Sequence, residues 1–151
     1  MKTLKIFLVF FFTVSLFPEL LNSQDLNVHF MIGKKKNAVT QKYGKPVHQD
    51  NSDPNMICMF YQSKDDRMIF VSNREGVFQV ESYRYFNTEI SARNAVDAVI
   101  KKSIAESFTV DTVSLSDFTL HKPGVTADLQ MSENKLTKKF DVKVKARKSV
   151  E

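Results

Sequence analysis

The sharpest pattern of apolar and polar positions lies near the end of the chain. Val125, Ala127, Leu129 and Met131 alternate with Thr126, Asp128 and Gln130; Phe140, Val142, Val144 and Ala146 alternate with Asp141, Lys143, Lys145 and Arg147. A period of two predicts strands with one packed face and one wet face. Pairing Met131 with Phe140 sets Asp128 opposite Lys143 on the wet side. It leaves residues 132–139, with Lys135, Lys138 and Lys139, as a polar loop. Three further strand-like runs cover Met56–Gln62, 67–72 and Val77–Phe86, joined by short polar turns at 63–66 and 73–76. Residues 47–55 read as a polar loop dense in turn formers, and 108–120 reads as one more strand.

Two helices punctuate these runs. Ile32, Val39 and Tyr43 fit one helical face, with Gly44 at the C-terminal cap position and Pro46 preventing continuation. The second helix follows Asn87 or Thr88 as N-cap, with Ile90, Val96, Val99, Ile100 and Ile104 at helical spacing. The predicted fold class is α+β: two helix–three-strand units forming one antiparallel sheet, both helices on one face and the other face open.

Composition then narrows the setting. Of 151 residues 42% are hydrophobic, enough for one packed domain. Lys2 and Lys5 precede an apolar run over 6–17, Pro18 breaks it, and Ser23 precedes Gln24. This is the pattern of a secretory signal peptide over residues 1–23, cut at Ser23/Gln24, with a single domain over 24–151. Twelve apolar residues fall short of the roughly 20 a membrane span needs, so no transmembrane segment is expected after cleavage. Cys58 is the one cysteine, far from the cut, so neither a lipid anchor nor an internal disulfide is expected. The expected location is exported, periplasmic or extracellular. The net charge of +5 is mixed, 22 cations against 17 anions, and does not demand a nucleic-acid partner.

The stretch Gly33, Lys34, Lys36, Val39, Tyr43, Gly44, Pro46, followed by a meander closing at Val77 to Val80, resembles a repeat of the β-lactamase-inhibitor-protein-like fold. The same unit occurs in small outer-membrane-assembly proteins of the SmpA/OmlA type. The resemblance covers the first half of the mature chain and implies an exported, non-catalytic protein that acts through surfaces. The assembly proteins are lipid-anchored; this chain lacks the cysteine for that.

Candidate chemistry is sparse. Lys34, Lys35 and Lys36 sit at a helix start, where free N–H groups attract anions, but the glycine spacing and Pro46 after Lys45 deny a phosphate loop. Cations there oppose the helix dipole by about 0.3–1 kcal/mol each, which a bound anion would relieve; a solvated first turn is the favoured reading. His29, His48 and His121 show no metal-ligand spacing, and His48 beside Asp50 and Asp53 reads as a surface loop. Cys58, in a strand apolar on both parities, reads as core. No cofactor and no catalytic set is expected.

Two surface features remain. Tyr83 and Tyr85 share one strand face, with Arg84 on the other, a candidate protein-contact patch if one face is not packed. Lys143, Lys145 and Arg147 line the last strand, as a contact for an anionic envelope component or as protection for an edge strand. The functional expectation is an exported binding protein acting through an open sheet face or a basic edge; the alternative is a soluble periplasmic small-ligand carrier or sensor.

Overall fold

The computed structural model describes residues 25–150, so the expected signal peptide and its cut lie outside the described residues. A short 3-10 turn at Val28–Met31 leads into α1 (Lys36–Tyr43). Four strands follow: β1 (His48–Asp53), β2 (Met56–Gln62), β3 (Asp66–Ser72) and β4 (Val77–Phe86). Then come α2 (Glu89–Ala105), β5 (Thr109–Thr112), β6 (Asp117–Lys122), β7 (Val125–Glu133) and β8 (Phe140–Lys148).

The expectation of two helix–three-strand units is overturned. The described residues form one eight-stranded antiparallel sheet, ordered β1-β2-β3-β4-β8-β7-β6-β5, with two α helices, and are predominantly β. The extra strands come from the two segments whose polarity hides them. Residues 48–53 form an edge strand exposed on nearly every position, so no alternation marks it. The single strand expected over 108–120 is a hairpin, β5 and β6, turned by the glycine-free segment 113–116. A second correction concerns β8, which lies at the centre of the sheet between β4 and β7 and protects no edge.

The core lies between the helices and one face of the sheet. Met59 and Tyr61 from β2, Met68 and Phe70 from β3, Val80 from β4, Val142 and Val144 from β8, and Ala127 and Leu129 from β7 all point there and are buried. Tyr43 at the end of α1 packs its ring on Tyr61 and Phe70. The buried stripe of α2 is Ala92, Val96, Val99 and Ser103, which leaves Ile90 and Ile104 exposed, against the wider apolar stripe that the spacing predicted. Small residues on the inner stripe let the helix lie close to the sheet, and the isoleucines at its ends fall outside that contact. Thr88 is the N-cap, its hydroxyl accepting from Ser91 N–H at 3.2 Å.

The β7–β8 register is two residues away from the expected one. Met131 faces Val142, and Asp128 faces Lys145. A shift of two preserves the inner and outer faces, so Lys143, Lys145 and Arg147 remain on the helix-free side.

Candidate functional site at the open sheet face

Opposite the helices, the sheet presents a face that no helix covers among the described residues. Its centre is the β3–β4–β8 junction. Register sets Arg67 and Lys143 on either side of Tyr83, on adjacent strands. The Arg67 guanidinium stands 4.6 Å from the Tyr83 ring centroid and the Lys143 ammonium 5.0 Å from it. One aromatic ring thus lies between two cations, an arrangement that ring quadrupoles favour. The Tyr83 hydroxyl donates to Glu81, two residues back on the same face, and Lys143 reaches Glu81 at 3.3 Å.

These contacts fix the charge states. Burial pushes the Glu81 carboxyl up, but hydrogen bonds from Tyr83 and Lys143 outweigh it and hold the group below its ordinary value. The hydrogen bond with Tyr83 is the main influence raising the Lys143 ammonium; burial opposes it and Glu81 adds to it. The centre of the face is therefore an ionised and mutually oriented set: Glu81 anionic, Lys143 cationic, Arg67 exposed with its charge over the ring.

Towards β1 and β2 the same face turns apolar. Phe60 pairs with Ile69 and with His48, whose ring lies 5.5 Å from that of Phe60. Cys58 stands between Asp50 and Val71. The doubly buried cysteine expected from sequence is instead half-buried on this face. Partial burial, then Asp50, pushes its thiol up, away from thiolate. Towards β7 and β6 the face turns polar, with Asp128, Gln130 and Thr119.

The sequence candidates divide across these surfaces. Tyr83, Tyr85, Lys143, Lys145 and Arg147 share the open face. Arg84 lies on the opposite face, ion-paired with Asp66 and lining a cavity with Asp25, Asn27 and Val99. The arginine beside Tyr83 is Arg67, which sequence reading passed over together with Glu81. A hairpin register counted back from the turn at residues 73–76 carries that signal. Lys35 donates to the Arg74 carbonyl oxygen at 3.0 Å, so it braces the β3–β4 turn, and α1 begins at Lys36 without a side-chain cap.

The histidines remain apart. His29 is fully buried against Ser103, His48 lies on β1, and His121 stands 3.5 Å from Asp111 at the β5 edge. Among the described residues no group of three or more His, Cys, Asp or Glu is placed to hold a metal ion. No described helix is long and apolar enough to cross a membrane. The cavity between α2 and the sheet is about 220 Å³, and an open groove of about 570 Å³ lies outside it, between the end of α1 and β1.

No protein-family model and no curated protein matches this chain. Among solved structures, an extracellular protein containing an SCP domain from Bacillus anthracis str. Ames is similar at 15% identity and a TM-score of 0.44, over 80% of this chain and 45% of that one. A cysteine-rich secretory protein from Staphylococcus aureus subsp. aureus Mu50 is similar at 13% identity and a TM-score of 0.43, over 76% and 44% respectively. This chain spans less than half the length of either.

Proposed function

We propose that this chain is an exported, non-catalytic binding protein whose recognition surface is the helix-free face of its sheet, centred on Tyr83. The observation that carries this reading is the Arg67–Tyr83–Lys143 stack held by Glu81 in the middle of the helix-free sheet face. An aromatic ring and an arginine held in fixed orientation, with an apolar flank on β2 and β3, are the kind of anchors that dominate protein contacts. Lys145 and Arg147 extend the cationic row and suit an acidic partner by steering its approach. Export is supported by the basic start and apolar run of residues 1–23.

The test is capture of partners from the native envelope by the full chain, compared with Lys143→Glu/Lys145→Glu/Arg147→Glu and with Tyr83→Ala. A partner retained at low salt by the parent chain is expected to be released by added salt and lost from both variants, each checked for native circular dichroism. Unchanged partners and an unchanged salt response in the charge-reversed chain would refute the assignment. Amino-terminal sequencing of the exported protein should begin at Gln24.

A further inference from the structure

One end of the sheet carries apolar side chains with nothing to pack against. The register brings together the β5–β6 turn, the β7–β8 loop, the β2–β3 turn and the start of α2 at that end. Asp66 pairs with Arg84, Thr112 with Phe118, Glu133 with Phe140, and Phe140 with Phe86, three residues before α2 begins. There Leu136 is 96% exposed, Leu115 84%, Ile90 74% and Val113 70%.

The two tips that present these residues are ordered by hydrogen bonds. In the β7–β8 loop the Asn134 carboxamide oxygen accepts from Leu136 N–H at 3.0 Å and Thr137 N–H at 3.1 Å, and the Asn134 carbonyl oxygen accepts from Lys138 N–H at 2.8 Å. In the β5–β6 turn Ser114 Oγ donates to Asp117 at 2.6 Å, and Val113 and Ser114 N–H donate to the Asp117 carbonyl oxygen. Arg93 Nη1 donates to the Leu115 carbonyl oxygen at 3.4 Å, which ties the turn to α2 one turn after Ile90. Each leucine is therefore held outward by its own loop.

Lysines flank Leu136, whereas Leu115 and Ile90 lie beside Arg93. Lys135, Lys138 and Lys139 flank Leu136, and Lys64 occupies the neighbouring β2–β3 turn. Of the anions at this end, Glu89 pairs with Arg93 at 2.9 Å, Glu133 with Lys138 at 3.9 Å, and Asp117 bonds Ser114 and Gln130, while Asp65, Asp97 and Asp141 have no ion pair among the described residues. Lys64, Lys135 and Lys139 have no ion-pair partner among the described residues.

We infer that this end docks on an anionic lipid surface, with Leu136, Leu115, Val113 and Ile90 entering the headgroup boundary and the lysines meeting lipid phosphates. The cavity beside Leu115, lined also by Arg93, Asp97 and Phe118, is only about 40 Å³, too small to seat a side chain. Protruding apolar tips, the Leu136 one flanked by lysines, suit an interface that deforms around them. This surface is separate from the open sheet face, so either assignment can fail alone.

The chain contains no tryptophan, so Leu136→Trp and Leu115→Trp in the full chain each provide a single fluorescent reporter. Phosphatidylcholine vesicles with and without phosphatidylglycerol are the probe, and Thr119→Trp on the open sheet face is the control. A blue shift is expected at both tips with anionic vesicles and none at Thr119. Replacing Lys135, Lys138 and Lys139 by Gln should raise the midpoint lipid concentration roughly a hundredfold, since each cation near such a surface contributes about 1 kcal/mol. If Leu115→Trp misfolds, Leu136→Trp at its fully exposed loop position decides. No shift at the tips, an equal shift at Thr119, the same midpoint on neutral vesicles, or a shift produced by envelope protein and not by vesicles would each overturn the inference.

Discussion

His29 Nε2 donates to Ser103 Oγ across 2.9 Å, while that hydroxyl gives its own proton to the Val99 carbonyl oxygen at 2.7 Å. The direction of the second bond fixes the first, so Nδ1 is left as a buried acceptor with no partner. The ring closes the 3-10 turn onto α2, in contact with Phe30 and Phe108.

Protonation would place a cation in this apolar site, with Asp25 attracting it and Lys42 and Lys102 repelling it. Burial dominates and lowers the His29 pKa from 6.5 to about 4. The unfolded chain therefore binds more protons between those values. Stability is full above pH 6.5 and is lost as pH falls towards about 4, by on the order of 3 kcal/mol. Urea unfolding at pH 7 and near pH 4 should show this loss, and His29→Gln should flatten the slope in that window. At lower pH Asp25 takes over. Its carboxyl resists burial through hydrogen bonds from Asn27 and Lys102 and sits at about 2 instead of 3.8, so its contribution disappears as pH falls through about 2.

Gly76 is expected to be the least replaceable glycine. Gly33 N–H donates to the Val77 carbonyl oxygen at 2.7 Å, and Val77 N–H donates to the Lys34 carbonyl oxygen at 2.8 Å, stitching the segment before α1 to β4. A Cβ on Gly76 would lie 2.8 Å from the Lys34 carbonyl oxygen, at φ +147°. Gly76→Ala should destabilise by on the order of 3 kcal/mol. Gly124→Ala meets open space and should cost only the left-handed penalty, about 1–2 kcal/mol. Thermal unfolding of the two variants tests the difference.

The Tyr83 stack should be measurable without any partner. A double-mutant cycle with Tyr83→Leu and Lys143→Met is expected to return a coupling of about 0.5–1 kcal/mol, because the pair is partly exposed and screened by water. Additivity within error would show that the two side chains are neighbours without energetic coupling.

Cys58 should react slowly. Its thiol is half-buried with a raised pKa, first through burial and then through Asp50. At neutral pH its alkylation is expected to lag behind that of free glutathione, and Asp50→Asn should accelerate it. Faster modification of the parent chain than of glutathione would contradict this environment.

Much of the local structure was legible because it repeats. The β2 and β4 ranges, the Thr88 cap and the two-residue alternation of β7 and β8 all reach the sequence as apolar periods or turn chemistry. What stayed hidden has no such signal. The strand 48–53 is solvated on nearly every position, and the turn 113–116 contains neither Gly nor Pro. The central place of β8 depends on its pairing with β4, a contact between residues about sixty positions apart that no local pattern encodes. For the same reason the alternation placed Lys143 on the wet face, but could not show which ring it would meet there.

That long-range pairing governs when the protein can exist. Until β8 is available, β4 presents an unpaired edge and the β5–β7 meander has no neighbour on its inner side. Both halves wait on β8, so the sheet can close only once residues 140–148 are available to pair. A chain truncated before Phe140 would be left with two separate pieces of sheet, each with an unpaired edge open to aggregation.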